Sequence, residues 1–160
     1  MGDDILIAYY SWQGNTRKIA SLIQNRTKGT LFEIKMKTPY STDYGTVVKQ
    51  AKEEIRAGVI PELVSLPDKN SYSTVFIGTP NWWHTMAPPL AAFLQSYDMS
   101  NKTVIPFCTH GGGGKGTIEK DAASMCPSST FKNGFVTYND GGRTLQADID
   151  AWLKALNFNF

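Results

Sequence analysis

Cysteine is scarce in this chain. There are two in 160 residues, and Cys108 and Cys126 form neither a disulfide framework nor a metal-ligand spacing. No apolar run is long enough to span a bilayer, so no membrane partner is expected. The start of the chain, Met1-Gly2-Asp3-Asp4, is acidic and runs straight into an apolar stretch, which is not the pattern of a signal peptide. These absences predict a cytoplasmic protein, in which the triplets Asn25-Arg26-Thr27 and Asn101-Lys102-Thr103 are chance glycosylation matches. Charge of one sign is also lacking. The net charge is +2 and no basic run is interleaved with aromatics, so nucleic acid is not an expected partner. No serine sits in a nucleophile elbow, and no carboxylate pair stands at acid/base spacing in the candidate loops.

What remains is ordinary in bulk, with 41% hydrophobic and 19% charged residues, and predicts a single globular domain over residues 1–160. The β-prone run Ile5-Leu6-Ile7-Ala8-Tyr9-Tyr10 reads as a buried strand. A helical period follows, with Ile19, Ala20, Leu22 and Ile23 on one face. Thr30 to Met36 alternates polar and apolar residues, as a half-exposed edge strand does. A helix is expected from about Asp43, with Tyr44, Val47, Val48, Ala51 and Ile55 on one face and Gly58 at its end. Pro61 to Ser71 has no clear period and reads as a surface connection. Three further strands are expected at Tyr72–Thr79, Thr103–Cys108 and Phe131–Tyr138. Between and after them come helices marked by Leu90, Phe93, Leu94 and Tyr97, by a short segment ending near Met125, and by Leu145 to Leu156. Pro88-Pro89 suits a first helical turn, whereas Pro106 inside a strand forfeits a ladder hydrogen bond.

Alternating strands and helices predict an α/β fold, a doubly wound parallel sheet with helices on both faces. Ligands bind such sheets beyond the carboxyl ends of the strands. Three loops there have unusual composition. The first, Ser11-Trp12-Gln13-Gly14-Asn15-Thr16, meets the N-terminus of the first helix, where unpaired N–H groups and the helix dipole favour an anion. The Ser11 and Thr16 hydroxyls and the Gln13 and Asn15 amides are suited to complete a phosphate cage. An ordinary N-capped turn is the alternative.

The second loop carries adjacent indoles, Trp82-Trp83, between prolines. Both cannot point into the core beneath, so at least one is expected to face a planar ligand; packing on a neighbouring helix is the alternative. The third loop contains Gly111-x-Gly113-x-x-Gly116. That is the literal dinucleotide fingerprint in the wrong place, after the fourth strand and with no acid before Asp140. Lys115 is followed by Gly116, so it is no Walker sequence either. Glycines there let backbone approach a ligand closely. His84 and His110 each sit in one of these loops. Phosphate donors, an aromatic and backbone donors, without a nucleophile or base, describe a site that holds a cofactor with its own chemistry.

Three segments together carry a resemblance. Ser11-x-Gln13-Gly14-x-Thr16 resembles the phosphate loop of the flavodoxin-like family, with Gln13 where Thr is usual. Gly78-Thr79-Pro80-x-Trp82-Trp83 resembles its flavin-contacting loop after strand three, and Thr109-His110-Gly111-Gly112 the loop bordering the ring after strand four. The resemblance covers nearly the whole chain and implies a flavodoxin-like five-stranded sheet in the order 2-1-3-4-5. It also implies FMN as cofactor, bound by Ser11, Trp12, Gln13, Gly14, Asn15 and Thr16, by Thr79, Pro80, Asn81, Trp82, Trp83 and His84, and by Thr109, His110, Gly111 and Gly112. No catalytic residue and no metal ligand are expected. The implied activity is electron transfer with a redox partner protein. The alternative is an NAD(P)H-dependent FMN oxidoreductase acting on quinones or similar planar acceptors. Two departures stand out: the chain lacks the acidic surplus of carrier flavodoxins, and Asn81 with the tryptophans stands where the carriers have a loop glycine. A flavin-free signalling module of receiver type would need an acidic cluster after strand one, and Ser11 to Lys18 contains no acid.

Overall fold

In the computed structural model, which describes residues 2–68 and 72–160, a parallel sheet is built on β1 (Ile5–Tyr9), with α1 (Asn15–Thr27) after it. All five β1 residues are buried, and their alternation explains the unbroken apolar run. Leu6 and Ala8 face a cluster containing Val47, Leu90 and Phe93, whereas Ile5, Ile7 and Tyr9 face one containing Ile19, Ile23, Ile149 and Leu153. A strand covered on both faces has no polar side to show.

β2 (Thr30–Glu33) pairs with β1 on one side and β3 (Thr74–Trp82) pairs with it on the other. β3 continues into a short antiparallel partner, β4 (Thr85–Met86), and pairs in parallel with β5 (Thr103–His110). Beyond β5 lie β6 (Thr130–Phe131) and β7 (Phe135–Tyr138), both parallel to it. With β6 and β7 sharing the fifth place and β4 set aside as a hairpin arm, the path β2-β1-β3-β5-β6 is the expected order 2-1-3-4-5. α2 (Tyr44–Ala57), α3 (Pro88–Ser96) and α4 (Ile118–Met125) supply residues to one cluster, and α1 and α5 (Leu145–Ala155) to the other. The helices therefore cover both faces.

The sequence-based boundaries need four corrections. β2 stops at Glu33, and Met36 makes only an isolated antiparallel bridge to Leu63, so the second strand is shorter than Thr30–Met36. The fifth strand is broken. Residues 132–134 lie opposite Ile105 and Pro106, three residues against two, as in a bulge. Pro106 has no N–H to donate to that ladder. β3 runs on to Trp82 and β5 to His110, because a hairpin and the neighbouring strand extend the pairing. Tyr44 is not on the buried face of α2. It sits in the first turn and is 68% exposed. The last residues of the connection Pro61–Ser71 lie outside the described residues.

Close approach fixes one glycine in the sheet. Gly78 lies between Tyr9 of β1 and Phe107 of β5, and a Cβ placed on it would stand 2.2 Å from the Phe107 ring. That ring is itself buried and cannot swing away freely. Gly78→Ala is expected to lower stability by about 1–3 kcal/mol through overpacking. Urea denaturation checks this, and an unchanged midpoint would show that the sheet relaxes around the methyl group.

Candidate functional site

The turn after β1 is shaped by its own backbone. Gly14 precedes α1 in the left-handed region at φ 106°, and its N–H donates to Ser11 Oγ at 3.0 Å. No side chain caps α1. Its first intrahelical bond runs from Lys18 N to Gly14 O, so among the described residues the N–H groups of Asn15, Thr16 and Arg17 have no acceptor. Three donors and the positive end of a helix dipole therefore open at one place.

The end of β5 meets this turn. Thr16 and Thr109, 1% and 4% exposed, share a hydrogen bond of 2.9 Å between their hydroxyls. One proton is used within the pair, and the other hydroxyl proton stays available to an anion. Ser11 accepts from Gly14 and likewise keeps its own proton free. These groups border an open cleft. Its walls are Ser11, Gln13, Asn15 and Thr16 from the first loop, Pro80 and Trp82 from β3, Thr109 from β5, and the Trp12 side chain. No carboxylate lines it. The nearby cations are already engaged, Arg17 with Glu33 at 2.5 Å and Lys18 with Asp140 at 3.8 Å.

The two tryptophans diverge. Trp82 lies on the cleft and is held edge-on by Tyr10 and Tyr40, with ring centroids 5.6 and 5.1 Å away. Burial raises both phenols above the ordinary tyrosine range, and Tyr40 donates to Glu54 Oε1 at 2.6 Å. They are therefore protonated props. Trp83 turns the other way: its indole N–H donates to Val48 O of α2 at 3.0 Å, and the Lys52 ammonium sits 5.0 Å from the ring centroid. Trp83 and His84 form the tip of the β3–β4 hairpin, with φ of 54° and 69°. Two left-handed residues are what a two-residue hairpin turn demands, at a cost when neither is glycine or asparagine.

The hairpin is tied to the glycine loop. Asn81 Nδ2 donates to Gly114 O at 2.7 Å, and the Thr117 N–H donates to His84 O at 2.7 Å. Asp121 Oδ2 accepts from both Thr85 and Thr117, at 2.5 and 2.6 Å. Gly116 has φ 52°, and a Cβ there would be 2.2 Å from His84 O, so this contact requires glycine.

Eight of the residues expected at the site thus line one cleft, and Gly14 forms its turn. The rest take other places. The Thr79 side chain is fully buried; its hydroxyl donates to Pro80 O and accepts the Ala87 N–H. Asn81 and His84 join the loops, and Trp83 docks on α2. His110 Nδ1 accepts the Gly112 N–H at 3.0 Å, its ring edge-on to Tyr138, while Gly111 and Gly112 are exposed at the rim. Sequence reasoning missed the props Tyr10 and Tyr40, the α2 dock of Trp83 and the Asp121 latch. Of these only Tyr10, immediately before Ser11, carried a signal by position. Burial pushes the Cys108 and Cys126 thiols up to about 12 and about 11, so neither supplies a thiolate near neutral pH. Among the described residues no cluster of His, Cys, Asp or Glu is suited to a metal, and no helix is long and apolar enough to cross a membrane.

A five-stranded doubly wound sheet with an uncapped helix start after β1 and an aromatic at the end of β3 defines a flavodoxin-type architecture. The sequence matches the flavodoxin family over residues 4–156, and the chain belongs to that family. A Bacteroides eggerthii protein assigned as a flavoprotein is similar in structure, with a TM-score of 0.85 and 27% identity, over 98% of this chain and 99% of that one. A second, from Bacteroides uniformis, has a TM-score of 0.83 and 28% identity, over 96% and 99%. A Lactobacillus acidophilus flavoprotein solved in complex with FMN shares the fold, with a TM-score of 0.72 and 24% identity, over 94% and 99%. No curated protein matches by sequence.

Proposed function

We propose that this chain binds FMN in the cleft between the loops after β1, β3 and β5, and that it serves in electron transfer. The observation that carries the reading is the uncapped start of α1, whose three free N–H groups stand beside the free hydroxyl protons of Ser11 and of the Thr16–Thr109 pair. That donor set suits a phosphate monoester, and it carries no formal charge that would equally invite a carboxylate side chain. The residues present fit the cofactor, because the anion site adjoins aromatic walls from Trp12 and Trp82. The complex of the Lactobacillus acidophilus flavoprotein with FMN supports the same choice. Bound FMN supplies the one- and two-electron chemistry. The chain anchors the phosphate at the α1 terminus, sets the flat ring against Trp82, and holds both outer loops in place through Asn81, Thr117 and Asp121. A cytoplasmic location belongs to this reading, in keeping with two cysteines that form no disulfide.

A second reading, an NAD(P)H-dependent oxidoreductase acting on planar acceptors, has one observation in its favour. A Cβ placed on Gly111, Gly112 or Gly114 would meet nothing within 4 Å. The loop after β5 leaves open space where a second aromatic would close off the ring. Electron transfer is ranked first because among the described residues no nucleotide-binding segment accompanies that opening. Stopped-flow mixing of the FMN-loaded protein with NADPH or NADH separates the two. We expect negligible reduction without a partner reductase. Rapid, saturable bleaching with turnover of a quinone would reverse the ranking.

A further inference from the structure

Beside the cleft lies a second cavity, larger than the first, of about 240 Å³ between α2 and the β3–β4 hairpin. Trp12 and Trp82 belong to both linings and form the partition between the two spaces. The remaining walls include Tyr44, Val48 and Trp83, with Asn81 at the hairpin. We propose that this cavity is a binding site for an uncharged, planar aromatic compound of about two rings, seated beside the flavin. Its position next to the flavin rests on the FMN reading. The cavity itself does not.

The character of the walls selects the ligand class. Neither the Trp12 nor the Trp83 indole N–H is free, because they donate to Ser41 O and Val48 O, each at 3.0 Å. These two indoles therefore offer ring surface and no donor. Among the described residues no charged side chain lines the cavity, so an ionised ligand would lose its hydration without a counter-charge. The neighbouring Lys52 ammonium is taken up by the Trp83 face. An uncharged aromatic loses little on entering and gains ring contacts with up to four aromatic side chains beyond its burial. The volume of about 240 Å³ lies just below the usual range of small-molecule sites, which restricts the occupant to a compact ligand of about two rings. Tyr44 supplies the outer wall. It is a large aromatic left 68% exposed, with its ring centroid 6.2 Å from that of Trp12. Its exposure is explained if a ligand completes its surroundings.

The test is calorimetric titration of the full chain, with and without saturating FMN, using menadione as a neutral two-ring probe and naphthalene-2-sulfonate as an anionic one. Both cysteines are buried, so the heat reports binding and not thiol addition. We expect menadione to bind in the presence of FMN, and the sulfonate to bind about tenfold more weakly or worse. Tyr44→Ala removes a wall and is expected to weaken menadione about fivefold. Val48→Phe fills the space and should weaken it at least as much. Both variants should keep FMN affinity within about twofold, since neither residue lines the flavin cleft. Unchanged menadione affinity in both variants would overturn the proposal. So would mutual displacement of FMN and menadione, which would make the cavity part of the flavin's own seat. Equal binding of the sulfonate would overturn the selection for neutral rings. If FMN itself fails to bind, the FMN reading falls, while the menadione titrations of the FMN-free protein still decide the cavity.

Discussion

Trp82→Ala is expected to cost about 3 kcal/mol of stability and to weaken FMN by up to about tenfold. The stability loss follows from position. Trp82 is partly buried against the larger hydrophobic cluster and wedged edge-on between Tyr10 and Tyr40. Removing the indole opens a cavity that neither tyrosine can fill, because Tyr40 is tied to Glu54. Half-burial places the cost at the low end of the range for tryptophan truncation. The affinity loss follows from the indole being a wall of the cleft. Trp83→Ala is the informative contrast. That ring docks on α2 and is expected to change FMN affinity less than about threefold. Denaturant unfolding and FMN titration of both variants check the pair. An unchanged affinity in Trp82→Ala beside a large loss in Trp83→Ala would reverse the assignment of the two rings.

Thr16→Val should be the most damaging conservative change in the turn after β1, where we propose that the phosphate binds. Valine preserves the shape but leaves the Thr109 hydroxyl, 4% exposed, without its partner. A buried hydroxyl left unpaired costs about 1–3 kcal/mol, and loss of a hydrogen bond to a charged phosphate costs about 1.5–3 kcal/mol of binding. The two effects separate in a double-mutant cycle. Thr16→Val with Thr109→Val replaces both hydroxyls and should recover much of the stability without recovering FMN. Riboflavin, which has no phosphate, should be indifferent to Thr16→Val. Equal losses for both flavins would mean that the substitution acts on the shape of the loop and not on the anion.

The sheet was legible because β1 is covered on both faces and so reads as one apolar run, and because each helix shows its own period. The polar turn after β1 was legible for a related reason. Hydroxyl and amide residues with a glycine, placed between a buried strand and a helix, have few other uses. The hairpin was not. Two-residue turns announce themselves through Asn-Gly or Gly-Gly, and here Trp83 and His84 take the left-handed conformation instead, held by contacts to α2 and Thr117 that are distant in sequence. For the same reason two adjacent tryptophans could not be told apart from sequence. Their difference lies in Val48, Tyr10 and Tyr40. Tyr44 misled by fitting the helical period of α2, whose first turn extends past the core to meet Trp12. The break in the fifth strand was written in Pro106, but on the neighbouring strand and not on the one that breaks.

The central claim is that the α1 terminus and its hydroxyls hold a phosphate, so the deciding measurement is a paired titration of the flavin-free protein with FMN and with riboflavin. The two ligands share the ring and the ribityl chain and differ in the phosphate. Two or more charge-assisted hydrogen bonds of about 1.5–3 kcal/mol each predict a preference for FMN of roughly 100-fold or more. Equal affinity for the two flavins would contradict the account.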